Sequence, residues 1–308
     1  MNHKSVNILF LGGAKRVSMA EYFIEAGRNT GTEVSIFSYE LNNEVPIREV
    51  ATVIEGKKWA ECLPHLKEVI AANHISAVIP FVDPATLIAA QLKAELPDLF
   101  CPVSEEPVCR RFFSKIEANA WCIENQIPVA VSVEGKFPKI AKPDTGSASQ
   151  GLVILNTEAE LLQLPNPENY LIQQFINATE YTVDAYRSLS CGNINYLVPR
   201  VRLETQGGEA VKAKTVKHPR IEHLSREIIE KAGLHGAITL QFLEDKNNGD
   251  VYFMEVNPRY GGGVVTSYGA GVDIAGILLA DMQGKEIAEK TAWKEGLTML
   301  RRFKEIYI

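Results

Sequence analysis

Short apolar strands alternate with helical segments through the first 108 residues, and this alternation constrains the fold more than any other feature of the sequence. The pattern predicts a buried strand over Val6–Gly13, which ends in a glycine turn, and further strands over Glu33–Glu40 and Ile75–Asp83. A helical segment follows each strand. Strands that alternate with helices are typical of βαβ units, so we expect an α/β block built on a doubly wound parallel sheet.

The pattern changes after this block. One helix is predicted over Cys109–Ile127, and short strands with a small-residue loop follow it. An amphipathic helix is predicted over Ile221–Gly233, with its glycine just past the helix end. We therefore expect an antiparallel-rich α+β region after residue 108, and two or more domains or subdomains in a chain of 308 residues.

Charge and cysteine content argue against several classes of protein. The formal net charge of −6 argues against general nucleic-acid binding, which usually needs a basic surplus. The five cysteines are odd in number and form no CxxC pair, so we expect buried fillers in a reducing cytosol rather than disulfides or a zinc site. No apolar run is long enough for a signal peptide or a membrane span, so the sequence predicts a cytoplasmic protein without membrane contact.

The two apolar stretches on either side of residues 245–249 predict a β-hairpin. A three-residue loop with Gly249 in the left-handed region would place Gln241 opposite Glu255 across the two strands. A two-residue turn would instead place Phe242 opposite Glu255. We expect the three-residue loop, and therefore a Gln241–Glu255 pair on one face of the sheet.

The second strand of this hairpin ends in side chains that suit a charged ligand. Side chains alternate along a strand, so Glu255 and Asn257 are expected on one face, together with Val251 and Phe253. With Gln241 opposite, three oxygen-bearing side chains would converge, and Mg²⁺ prefers hard oxygen ligands. The hairpin therefore predicts a magnesium site.

The residues after this strand add to the same prediction. Arg259 carries a planar guanidinium that can donate paired hydrogen bonds to a phosphate. The glycines at positions 261–263 would let backbone approach a ligand closely. The simpler alternative is an exposed strand end that runs into a glycine turn.

Lys142 is a second candidate, because it ends a predicted strand and precedes the small polar loop Gly146–Gly151. Such a loop can fold over phosphates and offer backbone N–H donors. The Walker A pattern is absent, and an ordinary surface loop is the alternative.

These motifs occur along the chain in an order similar to that of the ATP-grasp superfamily. The order runs from Lys115 and Lys142 through the stretch LIQQFINATEYTVDAY to the strand end at Glu255–Arg259. The sequence most resembles the branch of the carbamoyl phosphate synthase large subunit, and it also resembles the ligase of pyrrolysine biosynthesis. The resemblance implies a Rossmann-like pre-ATP-grasp domain over residues 1–108, followed by a two-lobed ATP-grasp domain over residues 109–308 with a lid subdomain at about 128–176.

The resemblance also implies a role for each matched position. Lys115 and Lys142 are similar to the two nucleotide-binding lysines, with Lys142 on the α- and β-phosphates. The loop Gly146–Gly151 is similar to the mobile lid loop. The further residues implied in nucleotide binding are Ser147 and Ser149 in that loop, Gln174, Phe175 and Ile176 at the hinge that reads adenine, and Glu180 on the ribose. Gln241, Glu255 and Asn257 are similar to the magnesium ligands, and Arg259 to the residue that steadies the transferred phosphoryl group.

The implied activity is ATP-dependent ligation of a carboxylate to an amine through an acyl phosphate, with ATP and Mg²⁺ required. Small-molecule carboxylates and amines are the expected substrates, and a homodimer is the common prior for oligomeric state. Two alternatives stay open. One is phosphorylation of bicarbonate or carbamate of the carbamoyl phosphate synthase type, and the other is a nucleotide-binding protein without catalysis.

Several residues carry weaker signals. Arg202 is a candidate for catalysis and Lys214 for nucleotide binding, although a solvated charged hairpin would explain both. Arg16 and Asp83 follow predicted parallel strands, where open α/β sheets bind ligands, and they are candidates for the acceptor substrate. The remaining candidates are His218 as a base, with a structural role as the alternative, and Ser267 and Tyr268 as lining of the substrate pocket.

Overall fold

A computed structural model describes residues 4–146, 150–302 and 304–307 of the chain. The first part forms a four-stranded parallel sheet with strand order β3-β2-β1-β4. Its elements are β1 (Lys4–Leu11), α1 (Val17–Thr30), β2 (Thr32–Glu40), β3 (Thr52–Glu55), α2 (Leu63–Ala72), β4 (Ile75–Pro80) and α3 (Asp83–Glu95). The doubly wound α/β prediction is therefore confirmed.

A small antiparallel sheet follows, with strand order β6-β5-β7. The elements that lead into it and form it are α4 (Glu106–Phe113), α5 (Lys115–Glu124), β5 (Lys139–Pro143), β6 (Val153–Leu155), α6 (Glu158–Leu162) and β7 (Tyr170–Gln174). This sheet lies within the segment at about 128–176 that the sequence predicts as a lid.

A six-stranded antiparallel sheet completes the fold, with strand order β12-β11-β8-β9-β10-β13. Its elements are β8 (Ala178–Arg187), β9 (Ile194–Gln206), β10 (Glu209–Thr215), α7 (Pro219–Ala232), β11 (Gly236–Asp245), β12 (Val251–Asn257), α8 (Val265–Gly269), α9 (Ile274–Met282) and β13 (Thr298–Leu300). No helix in the described ranges combines the length and apolarity that crossing a bilayer requires.

Strand β1 shows why the parallel sheet is buried on both faces. Ile8 and Phe10 contribute to one apolar core, whereas Leu9 and Leu11 contribute to another. The first core is completed from the far end of the chain, because helix α9 packs against α1 there. The sheet therefore depends on the C-terminal residues for one of its two covering layers.

The predicted helix over Cys109–Ile127 is wrong as a single element, because two helices occupy this stretch. Ser114 has an extended backbone and accepts a hydrogen bond from the Glu117 N–H, so it ends α4 and caps α5. The third predicted strand is too long by three residues, since β4 ends at Pro80 and Asp83 begins α3.

The Gln241–Glu255 pair is confirmed, but the turn differs from the one expected. Asp245 and Asp250 close the loop, so it contains four residues rather than three. A β-bulge at Met254 then adds one residue to β12 and restores the pairing of Gln241 with Glu255.

The bulge also corrects the prediction that Glu255 shares a face with Val251 and Phe253. Val251 and Phe253 are buried in the core behind the sheet, where Phe253 packs against Phe242. Glu255 lies on the opposite face because the extra residue reverses the alternation. Four of the cysteines are buried as expected, but the prediction is wrong for Cys191, which is exposed in the turn between β8 and β9.

Candidate active site

A cleft of about 440 Å³ lies where the three sheets meet. The loops after β1 and β4 line one side, at the carboxyl ends of the parallel strands. Strands β5 and β7 line a second side, and the polar face of the six-stranded sheet forms the floor. Among the lining residues are six basic side chains (Arg16, Lys115, Lys142, Arg200, Arg202 and Arg259) and four acidic ones (Asp83, Glu180, Glu209 and Glu255). The cleft is thus more basic than the chain as a whole, which suits an anionic ligand.

The three predicted magnesium ligands meet on the floor of this cleft. Both amide groups donate to the same carboxylate oxygen: Gln241 Nε2 to Glu255 Oε1, and Asn257 Nδ2 to Glu255 Oε1 at 3.2 Å. Within the described ranges, no cluster of three or more His, Cys, Asp and Glu side chains has the arrangement of a metal site. The candidate set is therefore one carboxylate and two amides.

Two arginines hold the amide oxygens of this set. Arg202 Nη1 donates to Gln241 Oε1 at 3.2 Å, and Arg259 Nη2 donates to Asn257 Oδ1 at 3.3 Å. Arg202 also pairs with Glu180 across neighbouring strands, with 3.2 Å between Arg202 Nη1 and Glu180 Oε2. The predicted metal ligands and the predicted catalytic arginines are thus one connected hydrogen-bond network.

Arg259 is anchored to the parallel-sheet block by Asp83. Its Nε donates to Asp83 Oδ1 at 2.6 Å, and its Nη1 donates to the Tyr260 carbonyl at 3.2 Å. Asp83 is the first residue of α3, so the contact joins two sheets across the cleft. Asp83, a candidate for binding the acceptor substrate, is therefore hydrogen-bonded to the candidate catalytic residue Arg259.

The two predicted nucleotide lysines lie on the side of the cleft that carries the small antiparallel sheet. Lys142 Nζ donates to Gln173 Oε1 at 3.1 Å, and Lys115 Nζ donates to the Gly146 carbonyl at 2.8 Å. Burial lowers the pKa of Lys142 and the positive charge of Lys115 adds to this, while Glu255 opposes it. An anionic ligand beside Lys142 would reduce this charge penalty.

The predicted hinge presents unpaired polar groups to the cleft. Gln174 Nε2 donates to the Pro138 carbonyl at 2.7 Å, while its buried Oε1 has no hydrogen-bond donor among the described residues. The N–H of Phe175 also donates to Pro138, whereas the N–H of Ile176 has no partner in the described part of the chain. A ligand with neighbouring donor and acceptor groups, as adenine has, would complement this edge.

Some predicted residues are not brought to the cleft. Lys214 is exposed on β10, where it pairs with β9 and β13 outside the cleft lining. His218 caps α7, since its Nδ1 accepts from the Ile221 N–H at 3.3 Å, and it is not among the described residues that line the cleft. Ser147 and Ser149 lie outside the described residues.

The last two candidates support the wall instead of lining it. Ser267 is buried and donates to Asp184 Oδ2 at 2.8 Å. Tyr268 stacks on Tyr22 with 3.5 Å between the ring centroids. Neither side chain is among the described residues that line the cleft.

A buried ion pair in the cleft wall was not predicted. Arg200 Nε and Nη2 donate to the two carboxylate oxygens of Asp184 at 2.9 and 3.1 Å, and the side chains are 3% and 1% exposed. Gly263 packs on this pair, because a Cβ there would lie 2.4 Å from Arg200 Cζ. The glycines at positions 261–263 were the available signal in the sequence. They indicated that another group approaches the backbone closely, but they could not show that this group is Arg200.

The comparisons with known proteins agree with this architecture. A family model described as an ATP-grasp in the biosynthetic pathway with Ter operon matches residues 166–304. No sequence of a curated protein matches the chain significantly.

Solved structures with the same fold cover most of the chain. Biotin carboxylase from Campylobacter jejuni, solved as a βγ-ATP complex, gives a TM-score of 0.73 at 16% identity over 95% of this chain and 74% of that one. N5-carboxyaminoimidazole synthetase from Staphylococcus aureus, solved with ADP, gives 0.74 at 16% identity over 93% and 79%. L-amino acid ligase from Bacillus licheniformis gives 0.69 at 15% identity over 92% and 75%.

A parallel-sheet block, a small antiparallel sheet and a large antiparallel sheet surround one charged cleft. The ATP-grasp family model thus covers the C-terminal part of the chain. The solved structures show that nearly the whole chain shares their fold.

Proposed function

We propose that this protein is an ATP-dependent, ADP-forming carboxylate–amine ligase of the carbamoyl-phosphate-synthase-like branch. The observation that carries the proposal is the network on the cleft floor. Gln241 and Asn257 both donate to Glu255 there, and they accept hydrogen bonds from Arg202 and Arg259 respectively. Solved structures with the same fold include a carboxylase, a synthetase and a ligase, two of them solved with ADP or an ATP ligand. This supports ATP as the phosphoryl donor.

The donor set on the floor fits Mg²⁺. Rotation of the two amide groups would direct the oxygens of Gln241, Glu255 and Asn257 to one point, and would release Arg202 and Arg259 from those oxygens toward a phosphate. With a single carboxylate in the set, phosphate oxygens and waters would complete the coordination, as is usual for this ion. Bound there, Mg²⁺ would supply neutralisation of phosphate charge.

The chain's own residues orient the nucleotide. The Ile176 N–H and Gln174 Oε1 would bind the adenine edge, and Lys142 and Lys115 would bind the phosphates. Phosphoryl transfer depends mainly on positioning and charge stabilisation. Arg202 and Arg259 line the cleft beside the candidate metal ligands, which supports a role for both in stabilising the transferred phosphoryl group.

The proposed reaction has two steps. A carboxylate oxygen of the acid attacks the γ-phosphorus and ADP leaves, which gives an acyl phosphate. The amine then attacks the acyl carbon and inorganic phosphate leaves, which forms an amide. The cleft walls would keep water from the acyl phosphate between the two steps.

The test is ADP release from the purified protein with Mg-ATP and pooled carboxylates and amines, beside Glu255→Gln. The matched control is Glu204→Gln, which removes an exposed carboxylate from β9. We expect ADP release that needs one acid and one amine, that persists in the control and that is lost in Glu255→Gln.

Other outcomes would change the proposal. Release with bicarbonate as the only acid would indicate carbamoyl-phosphate-type chemistry. Tight Mg-ATP binding without turnover in any pool would indicate a nucleotide-binding protein without catalysis, and absence of ATP binding would contradict the ATP-grasp function.

A further inference from the structure

One end of the cleft carries charges that the proposed phosphoryl transfer does not use. Glu209, the first residue of β10, pairs with Arg16 through two contacts, at 2.8 Å from Nη2 and 3.2 Å from Nη1. Arg301 Nη2 lies 3.8 Å from Glu209 Oε2. One carboxylate therefore lies between two guanidinium groups, which come from the parallel-sheet block and from the residues after β13.

The surroundings favour negative charge at this point. Burial raises the pKa of Glu209, but its hydrogen bonds to Arg16 and the charges of Arg16, Arg301 and Lys15 outweigh it, and the net pKa is lowered. Any carboxylate in the same place would gain the same stabilisation, because paired guanidinium contacts are among the strongest hydrogen bonds in proteins.

Arg301 is held by contacts other than Glu209, and Arg16 is largely buried. Arg301 donates through Nε to the Ala210 carbonyl at 3.0 Å and through Nη2 to the Gly262 carbonyl. Arg16 is only 11% exposed, and its buried Nε has no acceptor among the described residues. Gly262 leaves room for the anion, since a Cβ there would lie 3.1 Å from the Glu209 carboxyl group. Arg16, Arg301 and Gly262 together form a preorganised anion-binding site.

Glu209 is the most readily displaced member of the group. It follows Gly207 and Gly208, both at positive φ, at the tip of the β9–β10 hairpin. Among the described residues, a Cβ at Gly207 would meet no atom within 4 Å. The neighbouring Gly208 carbonyl accepts a hydrogen bond from Arg202 Nη2 at 3.4 Å. The side chain of Glu209 is 33% exposed, which leaves a path for exchange with a ligand.

We propose that Arg16 and Arg301 bind a second carboxylate of the substrates, one that is not phosphorylated, and that Glu209 occupies this subsite until the substrate displaces it. The assignment to the substrate rests on the proposed ligase function, whereas the anion site itself does not. The carboxylate comes either from a dicarboxylic acid that is activated at its other end or from an amino acid that serves as the amine.

The first experiment tests the anion site without nucleotide. Acetate is titrated calorimetrically into wild type, Glu209→Ala, Glu209→Ala with Arg301→Gln, and the exposed-site control Glu204→Ala, at constant ionic strength. We expect acetate to bind Glu209→Ala at least about tenfold more tightly than wild type, from the charge-assisted contacts it gains. The gain should disappear in the double variant and be absent from the control.

Equal acetate affinity in wild type and Glu209→Ala would overturn the proposal, and would leave the Arg16–Glu209 pair as a bridge between two parts of the fold. Because no ATP is present, this failure is separate from failure of the ligase proposal, which Mg-ATP binding to wild type reports.

The second experiment distinguishes the two sources of the carboxylate. Wild type saturated with Mg²⁺ and a nonhydrolysable ATP analogue is titrated with succinate or its monoamide succinamate, and with alanine or ethylamine, which lacks the carboxylate. If wild type binds succinate more tightly than succinamate and Arg301→Gln removes this difference, the subsite belongs to the acid. If wild type binds alanine more tightly than ethylamine and Arg301→Gln removes that difference, the subsite belongs to the amine. Equal affinity within both pairs would overturn a role in substrate recognition.

Discussion

At the scale of single residues, Asp83 determines how Arg259 is oriented. The Nε donor of Arg259 is bound to Asp83, and its Nη2 reaches Asn257 beside the candidate metal ligands. We predict that Asp83→Asn lowers the rate of ADP release by about tenfold to a hundredfold, because loss of the ion pair misplaces a group that must meet the phosphoryl group. The measurement is kcat and the KM for ATP beside Asp98→Asn, an exposed control on the same block. An unchanged kcat would show that Arg259 is oriented without Asp83.

Lys142 gives a prediction for pH dependence. Burial holds its pKa below the ordinary value of 10.5, and only the protonated form attracts phosphates. ATP affinity should therefore be complete below this lowered pKa and should fall as the pH rises through it, at a lower pH than an exposed lysine would give. The loss should be at least about tenfold, the effect of one charge-assisted contact.

The measurement for Lys142 is the Kd of Mg-ATP over a pH series from neutral upward. The matched variant is Lys142→Arg, which keeps its charge across that range, so its pH profile should stay flat. Parallel profiles for the two proteins would assign the pH dependence to another group.

At the scale of elements, the start of α5 is hydrogen-bonded to Asp144, which follows β5 of the small antiparallel sheet predicted as a lid. The carboxylate of Asp144 accepts from Ser114 Oγ at 2.7 Å and from the Ile116 N–H at 2.9 Å, and the Asp144 carbonyl accepts from the Lys115 N–H at 3.0 Å. We predict that Asp144→Ala lowers the free energy of unfolding by about 1–2 kcal/mol, because the Ile116 N–H and the Ser114 hydroxyl lose their acceptor, whereas the backbone bond from the Lys115 N–H remains.

A double-mutant cycle in urea checks this contact. Ser114→Ala, Asp144→Ala and the double variant should show a non-additive free energy of unfolding, since each change removes the same hydrogen bond. Additive effects would mean that the two residues act independently and that the link to the lid lies elsewhere.

The elements also show what the sequence could and could not predict. Alternation of strands and helices predicted the parallel sheet, and the strand end at Glu255–Arg259 predicted the floor of the cleft. The Gln241–Glu255 pairing was right although its reason was wrong, because a four-residue loop and the bulge at Met254 offset each other. A bulge adds one residue without a sequence signature, so counting from the turn could not find it.

The position of Lys214 outside the described cleft lining could not be predicted for a related reason. The register between β9 and β10 shifts twice, so counting along the strand cannot assign its face from sequence. Contacts between distant segments, such as Arg16 with Glu209 or Arg259 with Asp83, were also outside reach of local patterns. The sequence identified Arg16, Arg259 and Asp83 as separate candidates. It could not predict which residue each one contacts, because those contacts depend on how the three sheets pack together.

At the scale of the whole molecule, the sequence boundary near residue 108 does not divide the cores. Helix α4 runs through this position. One apolar core joins Ile8 and Phe23 of the parallel-sheet block to Tyr260 and Leu278 of the C-terminal part. The first block therefore buries one face of its sheet against residues that follow it by more than half the chain.

This shared core predicts a single cooperative unfolding transition. The three tryptophans lie in different cores: Trp293 in the shared one, Trp121 behind the six-stranded sheet, and Trp59 beside the second face of the parallel sheet. Variants that keep one tryptophan each, with phenylalanine at the other two positions, would report the cores separately. In each variant we expect the fluorescence midpoint in urea to coincide with the far-ultraviolet circular dichroism midpoint, because loss of the shared core exposes both parts at once.

The comparison is made within each variant, so the stability lost by the substitutions does not affect it. A Trp59 transition at lower urea than the loss of helix and sheet would contradict the prediction, and would show that the parallel-sheet block unfolds while the rest of the molecule stays folded.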